Sequence, residues 1–417
     1  MKRTEGFSRI SLSLLLAGVV YIALAINTVT GVGVVGEVTA TWASPSPPPV
    51  VLDWNDNAPV MGDGQTMGPF VASQTRPLER IQVGPLAIPL AVNSYTGAVA
   101  DWPAQLLYAV TGSRTSVVVL HVLLGGLLLM LYHRFLSLHG SEIAGGVAAL
   151  ALAADWSFIY YRKVLGGTEV LLQAAALLAL WALWSRRWAG GRHGTSAIAI
   201  AVGLGLLAKV TFAPSLIALA IAAGLTRWDH RDMKPPAPIQ WGRMVGIVTL
   251  FTLPIWLTLA HHALASPSPH IVSHDFLGLQ WERLISGVGS TWDSTPARES
   301  GNTLSWFLLE PLRWFEAAHG AEVPPGYAPW RLVGVGVLLG GTARAWWRRE
   351  RTPSAALLRL VSLFVPLQLC LLWVANHDLH HLAQATPAIC AWLGLSAESL
   401  AGAFSPPRST RRGLLAL

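Results

Sequence analysis

The stretch "ISLSLLLAGVVYIALAINTVTGVGVV" runs from residue 10 to residue 35 without a charged side chain. A membrane-spanning helix needs about 20 mainly apolar residues, so this stretch predicts a first transmembrane helix. It follows Lys2, Arg3 and Arg9, just as the apolar core of a signal peptide follows basic residues. The apolar run is, however, longer than the roughly 7–15 residues of a signal-peptide core. We therefore expect an uncleaved helix near the N-terminus.

The composition of the whole chain indicates a membrane protein. The 417 residues are 53% hydrophobic and 12% charged, whereas a soluble domain carries about 25% charged residues. The net charge of +7 does not indicate a nucleic-acid partner, because the basic residues cluster at the ends of apolar runs and carry topological information. Cys370 and Cys390 both lie in apolar runs, so no disulfide framework is expected.

Nine further apolar runs follow the first. The ten candidate spans are residues 10–34, 115–136, 141–160, 167–185, 195–209, 212–227, 243–264, 331–347, 355–376 and 381–403. The sequence thus predicts an all-α polytopic membrane protein of about ten transmembrane helices. The fifth and sixth spans are short, and Lys209 lies between them together with Gly203, Gly205 and Pro214. This pattern predicts a broken helical hairpin with Lys209 near its tip.

The distribution of Lys and Arg predicts the orientation. These residues concentrate in one set of short connections and at both termini, which are therefore expected to face the cytoplasm. Residues 1–404 are expected to form the membrane domain and residues 405–417 a cytoplasmic tail. Two long loops, residues 36–114 and 265–330, are expected on the extracytoplasmic side, and the Lys209 tip faces the same side.

The first long loop carries candidate catalytic acids. Glu37 follows the first span directly, and Asp53 and Asp56 lie in "LDWNDN". A carboxylate just above a bilayer can act as a general base toward a hydroxyl or an amine. The alternative for each acid is an ordinary solvated loop residue.

A set of cations is predicted at the same face. Arg162 and Lys163 follow the third span, and Lys209 lies in the broken hairpin. Anionic lipid headgroups are natural partners for cations at this depth, and charge within membrane segments is usually functional. The alternative is that these side chains only extend to the headgroups.

Three histidines lie in "NHDLHH" between the last two predicted spans. Together with Asp378, the histidines His377, His380 and His381 could bind a metal or a phosphate, or relay protons. The alternative is a polar interfacial turn. No second Cys/His pair occurs at zinc spacing, so neither a metal site nor a cofactor is predicted, and a divalent cation is possible without support from the sequence.

Three stretches resemble the GT-C glycosyltransferases, particularly the bacterial relatives of protein O-mannosyltransferases and lipid A aminoarabinose transferases. They are "PLAVNSYTGAVADWPAQLLYAVTGSRTSVVVLHVLLGG" from Pro89, "YYRKVLGGTEVLL" from Tyr160 and "GLGLLAKVTF" from Gly203. The resemblance covers about the first 230 residues well. It implies transfer of a hexose or pentose from a polyprenyl-phosphate donor to a lipid, glycan or protein acceptor at the extracytoplasmic face.

The chain departs from the family pattern at the catalytic acid. The family usually has two adjacent acids after the first span, whereas this chain has the single Glu37 in "VGEVTA". The expected base is therefore Glu37 alone, Asp53 or Asp56. The expected ligands of the phosphate or the acceptor are Arg162, Lys163, Lys209 and the three histidines. A transporter or flippase of a lipid-linked substrate is the alternative, because it would also have broken helices and intramembrane charge.

Overall fold

A computed structural model describes much of the chain. The described residues are 11–29, 79–83, 86–93, 96–97, 102–111, 114–155, 158, 167–186, 191–209, 212–226, 238–265, 328–348, 352–375 and 383–404.

These residues form eleven α-helices, one short 3-10 helix and three strands. The helices are α1 Leu12–Val29, α2 Trp102–Thr111, α3 Arg114–His139, α4 Glu142–Ala154, α5 Gly167–Arg186, α6 Gly191–Ala208, α7 Ala213–Thr226, α8 Trp241–Ala265, α9 Ala328–Arg348, α10 Pro353–Ala375 and α11 Thr386–Phe404, with the 3-10 helix at Ala383–Ala385. A helix occupies each of the ten predicted spans, and α2 is an addition. The helices in the ten predicted spans are 13–26 residues long and mainly apolar, and packing of their apolar faces stabilises them. Helices α8 and α10 continue through an interior proline, Pro254 and Pro366.

A small antiparallel sheet lies within the predicted first loop, and the all-α prediction did not include it. Its strands are β1 Glu79–Val83, β2 Leu86–Asn93 and β3 Thr96–Gly97, in the order β1-β2-β3. In the antiparallel register of β1 and β2, Ile81 is paired with Ile88 and Val83 with Leu86. The backbone of β2 and β3 packs against α8, so the sheet is attached to the helical bundle.

Helix α4 lies at the centre of the bundle and packs against α1, α3 and α11. It is rich in small residues, "EIAGGVAALALAA", which allow neighbouring backbones to approach closely. A Cβ atom at Gly394 of α11 would overlap the carbonyl oxygen of Ala144 and lie 2.9 Å from the Cβ of Ala148. Glycine is therefore required where α11 crosses α4.

Within the described residues, two helical segments are long and apolar enough, by length and composition, to cross a membrane, Val119–His139 and Pro353–Leu372. Large apolar side chains also cover much of the outer surface of the described helices. Leu12, Leu123 and Leu250 expose 79%, 65% and 68% of their surfaces. Extended exposed apolar surface of this kind marks a membrane or protein contact. Crossing of the membrane by all ten helices stays a prediction, as does the division into loops and tail.

Candidate functional site

Lys209 lies in the short connection between α6 and α7, as the broken-hairpin prediction placed it. Helix α6 ends at Ala208 and α7 begins at Ala213. At a rise of about 1.5 Å per residue, α6 is about 27 Å long, so Lys209 lies nearly a membrane thickness from Gly191 at the start of α6. The side chain is partly exposed.

Hydrogen bonds hold the backbone of Lys209 on both sides. Its N–H donates to the carbonyl oxygen of Gly205 at 3.2 Å, and its carbonyl oxygen accepts the N–H of Phe212 at 3.0 Å. The same carbonyl oxygen also accepts a hydrogen bond from Nε2 of Gln173, in α5, at 3.1 Å, which is the third hydrogen bond of the Lys209 backbone. A carbonyl oxygen has two lone pairs, so both acceptor positions of Lys209 are used.

The ring of Phe212 closes the hairpin over Gly205. Phe212 is 2% exposed, and a Cβ atom at Gly205 would overlap its ring. The glycine therefore lets the aromatic ring pack directly on the backbone of α6. This close contact fixes the spacing between the end of α6 and the start of α7, and with it the position of Lys209.

Other helix ends meet at this level of the bundle, which we call the Lys209 end. Gln368 of α10 donates from Nε2 to Oγ of Ser215, in the first turn of α7, at 2.8 Å. The 3-10 helix Ala383–Ala385, which leads into α11, packs against α5 and α10. The ends of α6 and α10 therefore lie beside the starts of α5, α7 and α11.

Asp155 brings a carboxylate to the Lys209 end. It follows the last residue of α4, and its Oδ1 accepts the backbone N–H of Phe158 at 2.8 Å. An Asp side chain that bonds an N–H three residues later caps the next helical turn. This contact gives Asp155 a structural role in the segment that follows α4.

Of the predicted site residues, only Lys209 lies among the described residues. The other predicted residues lie outside the described ones, so their roles stay predictions. They are the acids Glu37, Asp53 and Asp56, the cations Arg162 and Lys163, and the histidines His377, His380 and His381. Within the described part of the chain, no group of three His, Cys, Asp or Glu side chains is arranged to hold a metal ion.

Sequence analysis missed Gln173, which the structure places against Lys209. Gln173 is 3% exposed, and it is a polar amide within the apolar run "LLQAAALLALWALW". Polar side chains within membrane helices often bond across to neighbouring helices. A glutamine inside such a run was therefore a usable signal, although the run itself does not indicate which helix it contacts.

No protein-family model matches the chain, and no curated protein matches it. Two solved structures of an oligosaccharyltransferase from Archaeoglobus fulgidus do match. The archaeal oligosaccharyltransferase AglB, in complex with an inhibitory peptide and a dolichol-phosphate, is 15% identical, with 97% of this chain and 54% of that chain covered, at a TM-score of 0.43. The apo form of the Archaeoglobus fulgidus oligosaccharyltransferase is 14% identical, with 91% and 49% covered, also at 0.43.

The chain thus spans about half the length of the solved structures it matches. At this identity and TM-score the likeness establishes neither a shared activity nor a shared substrate. Any activity assigned to this chain has to be supported by its own residues.

Proposed function

We propose that the chain is an integral membrane glycosyltransferase of the GT-C type. It moves a sugar from a polyprenyl-phosphate donor to a lipid, glycan or protein acceptor at the extracytoplasmic face of a bacterial-type inner membrane. The motif resemblance, the high apolar content and the exposed apolar surface of the helices support this proposal. The observation that carries it is the fixed backbone of Lys209 at a meeting point of helix ends.

Lys209 has the chemistry that a lipid-phosphate donor requires. An ammonium group at the tip of a broken hairpin lies where the phosphate of a membrane lipid lies, and the surrounding low dielectric strengthens their attraction. Its backbone is held by three hydrogen bonds, so little reorganisation is needed when the phosphate binds. Preorganised charge of this kind stabilises the charge that develops in a transition state.

The proposed reaction is an inverting displacement at the anomeric carbon. A loop carboxylate, Glu37 or else Asp53 or Asp56, takes the proton from the acceptor hydroxyl or amine. The acceptor atom forms a bond to the anomeric carbon as the bond from that carbon to the phosphate oxygen breaks. The polyprenyl phosphate leaves with the bonding electrons, and Lys209, Arg162 and Lys163 stabilise its negative charge. The three histidines hold the phosphate or the acceptor.

Substitution of Lys209 tests the proposal. Purified protein in nanodiscs is given a panel of polyprenyl-phosphate pentoses and hexoses together with lipid, glycan and protein acceptors, and the release of free polyprenyl phosphate is measured. Loss of a charge-assisted hydrogen bond costs about 1.5–3 kcal/mol, so Lys209→Ala should slow donor use by about 10- to 150-fold. Lys209→Arg keeps the charge and should retain most of the activity.

The matched control is Arg192→Ala, which removes an exposed cation from the start of the same helix. It should leave donor use unchanged. A folded Lys209→Ala protein that is as active as the parent would remove Lys209 from the mechanism. Transport of an intact lipid-linked sugar across the bilayer, with no free polyprenyl phosphate formed, would instead establish the flippase alternative.

A further inference from the structure

Gln173 is a buried amide whose placement is not explained by stability. Its Nε2 reaches across from α5 to the carbonyl oxygen of Lys209, 36 positions later in the chain. Its Oε1 is buried and has no hydrogen-bond partner among the described residues. A buried acceptor without a partner destabilises a fold. A leucine of similar size would pack into the same apolar surroundings without that penalty.

The contact with Lys209 differs from an ordinary helix-to-helix hydrogen bond. Residues inside α6 have carbonyl groups bonded within the helix, but α6 ends at Ala208 and its last carbonyls need other partners. Phe212, from the same hairpin, supplies one partner for the Lys209 carbonyl. Gln173 supplies the other and ties the hairpin to a different helix.

We propose that Gln173 is a positioning residue for Lys209. By holding the Lys209 carbonyl, it sets the direction in which the lysine side chain leaves the hairpin and meets the donor phosphate. This inference rests on the proposed function and adds to it a residue that acts on the phosphate site without touching substrate. Its contribution should therefore depend on the presence of the lysine side chain.

The measurement is binding of a polyprenyl monophosphate to the full-length protein in nanodiscs, by native mass spectrometry. Gln173→Leu removes the hydrogen bond that orients Lys209, so binding of the polyprenyl monophosphate should weaken by an amount up to the worth of that bond, about 2- to 13-fold. The midpoint of thermal unfolding should not fall. Gln173→Leu in a Lys209→Ala background should weaken binding no further, because a positioning effect needs the group that is positioned.

Gln368→Leu is the matched control. Like Gln173, Gln368 is a buried glutamine at the Lys209 end whose Oε1 has no partner among the described residues. Its Nε2 also donates a hydrogen bond to another helix, from α10 to α7. Its partner is Ser215 and not Lys209. Gln368→Leu should therefore leave binding of the polyprenyl monophosphate within about 2-fold of the parent.

Each alternative result has a distinct meaning. Equal losses of binding in Gln173→Leu and Gln368→Leu, or equal losses in the presence and absence of Lys209, would overturn the positioning role. No loss in Gln173→Leu would also overturn it. If Lys209→Ala itself leaves binding unchanged, the phosphate role of Lys209 fails, and with it both the proposed mechanism and this inference.

A second readout does not depend on the donor. In a Lys209→Cys protein, the rate of reaction with a water-soluble thiol reagent depends on the direction and the solvent exposure of the side chain at position 209. Gln173→Leu should change that rate, and Gln368→Leu should not. Unchanged rates would show that Gln173 does not position residue 209, even where glycosyl transfer itself is established.

Discussion

The two ends of the helical bundle use polar side chains differently. At the end opposite Lys209, where α1, α4 and α10 begin and α3 and α11 end, polar side chains bond to one another. Nε2 of His133 contacts Oγ of Ser11 at 2.9 Å, Oγ of Ser13 at 3.1 Å and Oε2 of Glu142 at 3.5 Å. Oγ of Ser354 donates to Oε2 of Glu398 at 2.6 Å. These contacts link α1, α3 and α4 to one another and link α10 to α11.

At the Lys209 end, the described side chains hold backbone and hydroxyl groups instead. Gln173 bonds the Lys209 carbonyl, Gln368 bonds Ser215, and the amide oxygens of both glutamines have no hydrogen-bond partner among the described residues. A buried polar atom without a partner calls for an explanation, and the opposite end also has one, Oγ of Ser137. We predict that substitutions at the opposite end change mainly stability and that substitutions at the Lys209 end change function.

The largest expected effect compares the predicted base, Glu37, with an acid of the opposite end. Glu37→Gln keeps the shape of the side chain and removes the proposed base, so glycosyl transfer should fall by about 10²–10⁴-fold. Glu142→Gln is the control, since Glu142 lies at the opposite end beside His133. It should leave transfer unchanged. The measurement is transfer from a polyprenyl-phosphate sugar at equal amounts of folded protein, together with donor binding, which Glu37→Gln should preserve.

A Glu37→Gln protein with full activity would move the role of base to Asp53 or Asp56. Loss of activity in Glu142→Gln at unchanged stability would contradict the division between the two ends.

The helical fold was largely predictable, because each predicted span is a mainly apolar run. The short runs around Lys209 predicted the hairpin between α6 and α7. The sheet at β1 and β2 was not predicted, because "ERIQV" and "LAIPLAVN" lie in a segment whose acids and prolines are typical of a loop. Propensity for a strand depends on packing partners that are distant in sequence.

The candidate site was predictable only in part. Lys209 stood out because charge between two apolar runs is costly. Gln173 did not, because its role depends on a contact with a residue 36 positions away. A pattern of apolar residues predicts that α5 is a helix and does not predict which of its residues reaches the hairpin.

A smaller effect is expected at His133, and on stability alone. The side chain is 4% exposed and joins the starts of α1 and α4 to the end of α3. His133→Ala should lower the free energy of unfolding by about 1–3 kcal/mol, measured by denaturation in detergent. Transfer per folded molecule should not change. A large loss of transfer at unchanged stability would place functional chemistry at the opposite end as well.

The smallest effect is expected at Asp155, which lies at the Lys209 end and whose described hydrogen bond caps a helical turn. Its Oδ1 caps the turn that contains Phe158. Asparagine has an equivalent oxygen, so Asp155→Asn should retain both stability and glycosyl transfer. Asp155→Ala removes the cap and should lower the free energy of unfolding by about 0.5–2 kcal/mol. Paired unfolding and transfer assays on the two variants separate the cap from the charge. If Asp155→Asn is as stable as the parent but transfers sugar at least about 10²-fold more slowly, the carboxylate belongs to the reaction, and the Lys209 end holds one catalytic acid more than the loop residues proposed here.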